Sequence, residues 1–225
     1  MQNLRLVVPL VVIIFLHILL PGRASALPRW LGNLTESGAE SLFLKGQSQE
    51  VTATLLLEKT KWRYSHEFGI YGFRATEDGI EVTDMLAIFH GSDTRFVSRS
   101  IHFDLASGQV WLDGSMDKKN IGPVFGFYLK TQKNNSQIFY THTVLNSDKK
   151  DHSQIFETGG NTPIIRQLYP DVVIAFEDWK GGGDGDFNDM VVGMKGVTTV
   201  PEPVTILLLG IGLVGLAGLA RKKRV

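Results

Sequence analysis

The chain has no cysteine among its 225 residues. That rules out disulfides and cysteine chemistry, so the domain rests on its core, on a metal, or on both. Net charge is missing too, since 23 basic residues balance 23 acidic ones. Without a basic surplus nothing marks nucleic acid as a partner. Catalytic signatures are also lacking. No Gly-x-Ser-x-Gly elbow, His-Glu-x-x-His pair or phosphate loop occurs in the sequence, which argues against the common hydrolase, zinc-protease and nucleotide-dependent classes. His17, His66, His90, His102, His142 and His152 are scattered along the chain, and such lone histidines are expected to be structural or solvated.

Uncharged apolar runs of any length are confined to the two ends. Residues 1–26 carry Arg5, an apolar run from Leu6 to Leu20, a Pro21-Gly22 break, and then Ala24-Ser25-Ala26. That order of parts predicts a secretory signal peptide, with Ala24 and Ala26 as the small residues read for cleavage after Ala26. The alternative, an uncleaved anchor, needs a span of roughly 20 apolar residues, which this run does not reach. At the other end, Ile206 to Ala220 has no polar side chain, and Arg221, Lys222, Lys223 and Arg224 follow at once. At 1.5 Å per residue, a helix over Val204 to Ala220 is about 25 Å long, slightly less than a hydrocarbon core. The cationic tail predicts a cytoplasmic C-terminus and an exported domain before the span. Gly210, Gly212, Gly215 and Gly218 leave room for a second membrane helix.

Between the ends lies a length suited to one domain. Residues 27–50 read as a linker with one short helix, capped by Thr35 or Ser37 and stopped at Gly46. Residues 51–197 change to a strand pattern. Apolar or alternating stretches recur at 51–57, 67–73, 80–89, 96–105, 109–112, 124–130, 137–144, 153–156, 171–176 and 189–194, with Asp, Asn, Ser and Gly turn signals between them. Short strands at this spacing predict an all-β fold, an antiparallel β-sandwich or jelly roll. Phe68, Tyr71, Phe73, Phe125, Phe127, Tyr128, Phe139 and Tyr140 are expected in its core rather than on a sugar-binding face.

One stretch breaks the charge balance locally. In "FEDWKGGGDGDFNDMVV", Glu177, Asp178, Asp184, Asp186 and Asp189, with the carboxamide of Asn188, surround three glycines and a lone Lys180. Apolar strands lie on either side, so the acids occupy a wide hairpin connection. Carboxylates, an amide oxygen and backbone carbonyls are the donors that calcium takes, six to eight at about 2.3 to 2.6 Å. Without a cation, like charges this close raise one another's pKa. The spacing of Asp184, Asp186 and Asn188 fits the start of an EF-hand loop. Asp189, however, stands where that loop needs glycine, and Lys195 where it needs glutamate, so the EF-hand reading fails. The other reading of the same turn is a plain solvated loop.

Two resemblances follow from these residues. Val200-Pro201-Glu202-Pro203, the glycine-bearing apolar run and the basic tail resemble the PEP-CTERM sorting signal of exported bacterial proteins. The resemblance implies cleavage near Pro201-Glu202-Pro203 by an exosortase, a membrane protease, and association with surface display and exopolysaccharide matrix. The segments "FGIYGF", "IFHGSD", "FGFYLKT", "FYTHTVLNSDKKDHSQIF" and "IAFEDWKGGGDGDFNDMVV" are similar to an uncharacterised β-domain family that often precedes such signals. That likeness implies calcium binding by Glu177, Asp178, Asp184, Asp186, Asn188 and Asp189. Two functions remain open at this point. One is a non-catalytic cell-surface or matrix protein bound to exopolysaccharide or a matrix protein. The other is a secreted polysaccharide hydrolase using Glu177 and Asp178 as acid and base.

Overall fold

The computed structural model describes residues 34–46, 49–59, 66–131, 136–161, 163–164 and 166–200. The expected signal segment, the membrane span, its basic tail and Pro201-Glu202-Pro203 lie outside the described residues. No helix among the described residues is long and apolar enough to cross a membrane.

Among the described residues thirteen strands follow in chain order: β1 Leu42–Leu44, β2 Glu50–Glu58, β3 Glu67–Thr76, β4 Gly79–His90, β5 Ser98–Asp104, β6 Gln109–Leu112, β7 Lys119–Asn120, β8 Val124–Thr131, β9 Gln137–Tyr140, β10 Ser153–Glu157, β11 Val172–Phe176, β12 Met190–Lys195 and β13 Val197–Thr199. They form two antiparallel sheets. One runs β13-β1-β8-β3-β4 with β9 also on β8, and the other runs β10-β11-β12-β2-β5-β6-β7. The fold is all-β and sandwich-like.

Two apolar layers explain why the sequence of the second sheet reads as it does. Val51, Ala53 and Leu55 of β2, Ile174 and Phe176 of β11, and Met190, Val192 and Met194 of β12 meet Phe68, Phe125 and Phe127 of the first sheet in the main core. Phe68 stacks on Phe127 with centroids 5.8 Å apart and meets Phe176 edge-on at 6.0 Å. The opposite face of the same strands supplies Leu56, Val173, Ala175 and Val191 to a smaller outer cluster, which Leu34, Leu168 and Phe187 cover. Strands buried on both faces lose alternation and become continuous apolar runs. That accounts for "VVIAF" and "MVVGM".

The short helix expected within residues 27–50 is not what residues 34–46 form. Leu42 and Leu44 are buried, and β1 pairs with both β13 and β8. Only three residues long, the strand has too few positions to display its period. Phe96 is also expected within a strand, yet its φ of 71° takes it out of the extended region. Strand β5 begins two residues later, at Ser98.

Candidate metal centre

Strands β11 and β12 pair in register from Val172↔Met194 to Phe176↔Met190, so residues 177–189 close the open end of one hairpin. Positive φ angles at Gly181, Gly182, Gly183 and Gly185 fold the turn back on itself. Phe187 (φ 46°) drops its ring onto the outer apolar cluster and so ties the far side of the loop to the sheet. A second chain segment braces the near side. Gly181 donates its N–H to Asp148 Oδ2 at 2.8 Å, and Lys150 Nζ donates to the Gly181 carbonyl at 3.0 Å. Asp148 is held in turn by His152 Nε2 at 3.1 Å, and the His152 ring stacks on Phe139 at 4.1 Å.

Inside this brace the acids separate into two groups. Glu177, Asp184 and Asp186 each bring a carboxylate oxygen within 4.8 Å of the others'. Glu177 is almost completely buried, and its Oε1 accepts the Phe187 N–H at 2.5 Å. A Cβ on Gly183 would stand 1.9 Å from Glu177 Oε2, so glycine at this position is what makes room for the carboxylate. Asn188 is also buried, and its amide donates to Asp186 Oδ2. Asp178 and Asp189 stand at the hairpin mouth instead. The Asp178 N–H donates to Asp189 Oδ2 at 2.9 Å.

The electrostatics match this crowding. Burial, with the nearby charges of Asp189, Asp184 and Asp186 adding to it, pushes the Glu177 carboxyl up to about 7, against the partial relief of the Phe187 N–H. Asp189 is pushed up to about 6, by burial first and by Asp178 beside it. Asp186 is raised by burial and by Asp184. Carboxyls held close in one loop bind their protons more tightly, and Lys59 offsets this only in part at Asp186. The donors are all oxygen, which suits a hard cation rather than zinc or copper. The cluster can chelate a divalent cation.

Sequence reasoning missed the layer behind the mouth. His66, fully enclosed, places Nε2 3.1 Å from Asp178 Oδ2 and Nδ1 3.6 Å from Glu58 Oε1. Glu58 comes from the end of β2, which pairs with the start of β12 at Met190. Asp148, Lys150 and His152 were equally out of view. None of these residues is near the acidic turn in sequence; strand order brings Glu58 and the segment before β10 there, and the facing of the two sheets brings His66.

The comparisons with known proteins fall on this same end of the chain. Residues 118–197 match the model of a domain of unknown function, DUF4114. Residues 199–224 match the PEP-CTERM protein-sorting motif. The chain carries a DUF4114 β-domain followed by a PEP-CTERM sorting motif. The DUF4114 match runs from β7 to β13 and includes the whole acidic turn. No curated protein and no solved structure matches the chain. The sorting motif implies processing by an exosortase-type membrane protein, and the β-domain match brings no catalytic signature.

The last described strand reaches the start of the sorting-motif match. Strand β13 pairs with β1 from Leu42↔Thr199 to Leu44↔Val197, and the Val200 N–H donates to the Ser41 carbonyl at 3.1 Å.

Proposed function

We propose that the protein is an exported, non-catalytic β-sandwich of the cell surface or extracellular matrix, in which calcium ties the β11–β12 hairpin. On this reading a signal peptide cut after Ala26 begins export, and the C-terminal span holds the precursor in the membrane. An exosortase then cuts near Pro201-Glu202-Pro203. Exopolysaccharide is the matrix partner, and the outer surface or matrix is the final location. One observation carries the metal assignment: Glu177, Asp184 and Asp186 converge in a loop whose glycine is shaped around a buried carboxylate. Asn188 orients Asp186, while Asp178 and Asp189 supply negative charge at the mouth.

Purified full-length protein in detergent provides the test. Its melting temperature should rise with calcium and fall with chelator, because a ligand bound only by the folded state stabilises it in proportion to ligand concentration over Kd. Equal melts with millimolar calcium and with chelator would sink the assignment. Mass spectrometry of protein recovered from the source cells reads both processed ends, and an intact C-terminus would remove the sorting step.

The raised Glu177 favours a second reading, a polysaccharide hydrolase, because a general acid needs a carboxyl that keeps its proton near neutrality. A glycosidase also needs two carboxyls flanking a sugar cleft. The three cavities described in the structure are lined by residues other than those of the acidic turn. Turnover of matrix polysaccharide by the purified protein would favour this reading over the first.

A further inference from the structure

A second charged site lies at the loop between β4 and β5, where two arginines share a wall with two acids. A cavity of about 520 Å³ opens there, its charged lining Glu58, Asp93, Arg95 and Arg166, with Ser92, Thr94 and Phe96 beside them. Two guanidiniums from separate parts of the chain face a single ring. Arg95 lies 5.2 Å from the Phe96 centroid and Arg166 lies 4.3 Å from it. The two cations are therefore no farther apart than those distances together. Guanidiniums laid on an aromatic ring lose side-chain freedom before any ligand arrives, and their planar forks fit a carboxylate with two parallel hydrogen bonds.

The backbone is held for this arrangement. Phe96 has φ 71°, and Arg166 and Gln167 have φ 48° and 60°, all in the left-handed region that side chains resist. Two backbone bonds to one residue of β2 lock Phe96 in place: its N–H donates to the Leu55 carbonyl at 2.7 Å, and the Leu55 N–H donates to Val97 at 3.0 Å. Strain over-determined in this way is characteristic of ligand sites. The negative groups of the wall are already engaged. Asp93 accepts from Arg99 at 2.7 Å and from the His90 N–H at 2.8 Å, and Glu58 faces the His66 ring. Arg95 is steadied by donating Nε to the Leu56 carbonyl at 3.0 Å. Arg166 is exposed and has no carboxylate partner among the described residues.

We infer that this cavity binds the acidic sugar units of a polysaccharide, with the carboxylate of a uronic acid between Arg95 and Arg166. The hydroxyls of Ser92 and Thr94 then meet the sugar's own hydroxyls. The volume falls in the range of small-molecule sites and exceeds what a bare anion needs. The inference rests on the exopolysaccharide partner proposed above, and it specifies that partner as anionic. It does not depend on the calcium site.

The test is calorimetric titration of full-length protein in detergent with oligogalacturonate, in chelator and at low salt. Maltoheptaose serves as the neutral control, and inorganic sulfate as the competitor that offers charge alone. Saturable binding of oligogalacturonate but not maltoheptaose is expected, weakened only at high sulfate. Arg166→Ala should weaken it about tenfold or more, the loss of one charge-assisted contact, and Arg166→Lys should restore part of it. Arg166 is exposed, so its variants should melt like the parent. Binding that needs calcium and ignores Arg166 would overturn the site, as would equal affinity for maltoheptaose, equal potency of sulfate, or no binding at all. A calcium melt on the same sample reports separately on the hairpin.

Discussion

Replacing Glu177 by Gln separates the two forces that the acidic turn balances. Glutamine keeps the acceptor for the Phe187 N–H and the same shape, and it removes one charge from beside Asp184, Asp186 and Asp189. In the metal-free protein that charge is a burden. The folded state holds the Glu177 proton up to about pH 7, whereas the ordinary glutamate value is 4.5. Between those values the folded state binds more protons than the unfolded chain, so stability falls as pH rises. The stability from the protonated carboxyl is fully present below pH 4.5 and is lost by about pH 7. Taken whole, the gap corresponds to roughly 3 kcal/mol. Asp184 and the rim of the loop are open to water, which screens part of it and leaves about 1 to 2 kcal/mol. For a domain of this size each kcal/mol moves the melting temperature by about 2 to 4 °C. Scanned at pH 8 in chelator, Glu177→Gln should therefore melt about 2 to 8 °C above the parent, and the advantage should vanish below pH 5. With calcium the order reverses. The parent gains about 2.7 kcal/mol at a hundredfold excess over Kd, and the variant loses most of that gain along with a buried ligand. A variant that melts like its parent in chelator at pH 8 would refute the repulsion. One that keeps the full calcium shift would refute the ligand role.

Three other substitutions probe the supports of the site and the core. Gly183→Ala forces a Cβ to within 1.9 Å of Glu177 Oε2 at a φ of 51°; differential scanning fluorimetry should show a lower melt, by about 1 to 2 kcal/mol for the backbone alone, and a reduced calcium shift. Asp148→Ala removes the acceptor of the Gly181 N–H and the partner of an enclosed His152. Its cost should be about 1 to 3 kcal/mol, with faster amide exchange at Gly181–Gly183 and no change in exchange across β3. Gly126→Ala brings a Cβ to 2.4 Å from the Tyr71 ring, and overpacking of this kind costs about 1 to 3 kcal/mol or more, with the calcium shift unaltered.

Most of the sandwich was legible because its long strands bury one face or both, and that leaves either alternation or an unbroken apolar run in the sequence. Strands β2, β3, β4, β6, β8, β11 and β12 fall within a few residues of their expected limits. What escaped was short or bent. Strands β1, β7 and β13 have three, two and three residues, too few for a period of two to show. Phe96 alternates correctly with its neighbours in sequence, but the Leu55 backbone pins it at positive φ, a tertiary constraint with no local signal. The acidic turn is visible in one line of sequence because its carboxylates are contiguous. Its partition is not. Which acids converge depends on Gly183 making room for Glu177. Which face the mouth depends on Asp178, just past β11, meeting His66, just before β3 of the other sheet.

Strands β12 and β13 link the hairpin to the start of the sorting-motif match. β12 begins beside Asp189, at the candidate metal centre, and ends at Lys195, where Gly196 turns the chain from one sheet to the other. That turn is fixed on both sides: Asp171 Oδ2 accepts the Gly196 N–H at 2.7 Å, and the Gly196 carbonyl accepts the Lys45 N–H at 2.9 Å. Lys45 Nζ reaches the other oxygen of Asp171 at 2.8 Å, so a charge pair closes the corner. β13 then pairs with β1, and among the described residues Val200 makes the last backbone bond of that ladder. The cut proposed at Pro201-Glu202-Pro203 would fall after every described strand. The proposed cation site and the proposed cut would then lie beyond opposite ends of the β12–β13 segment and share no described backbone bond.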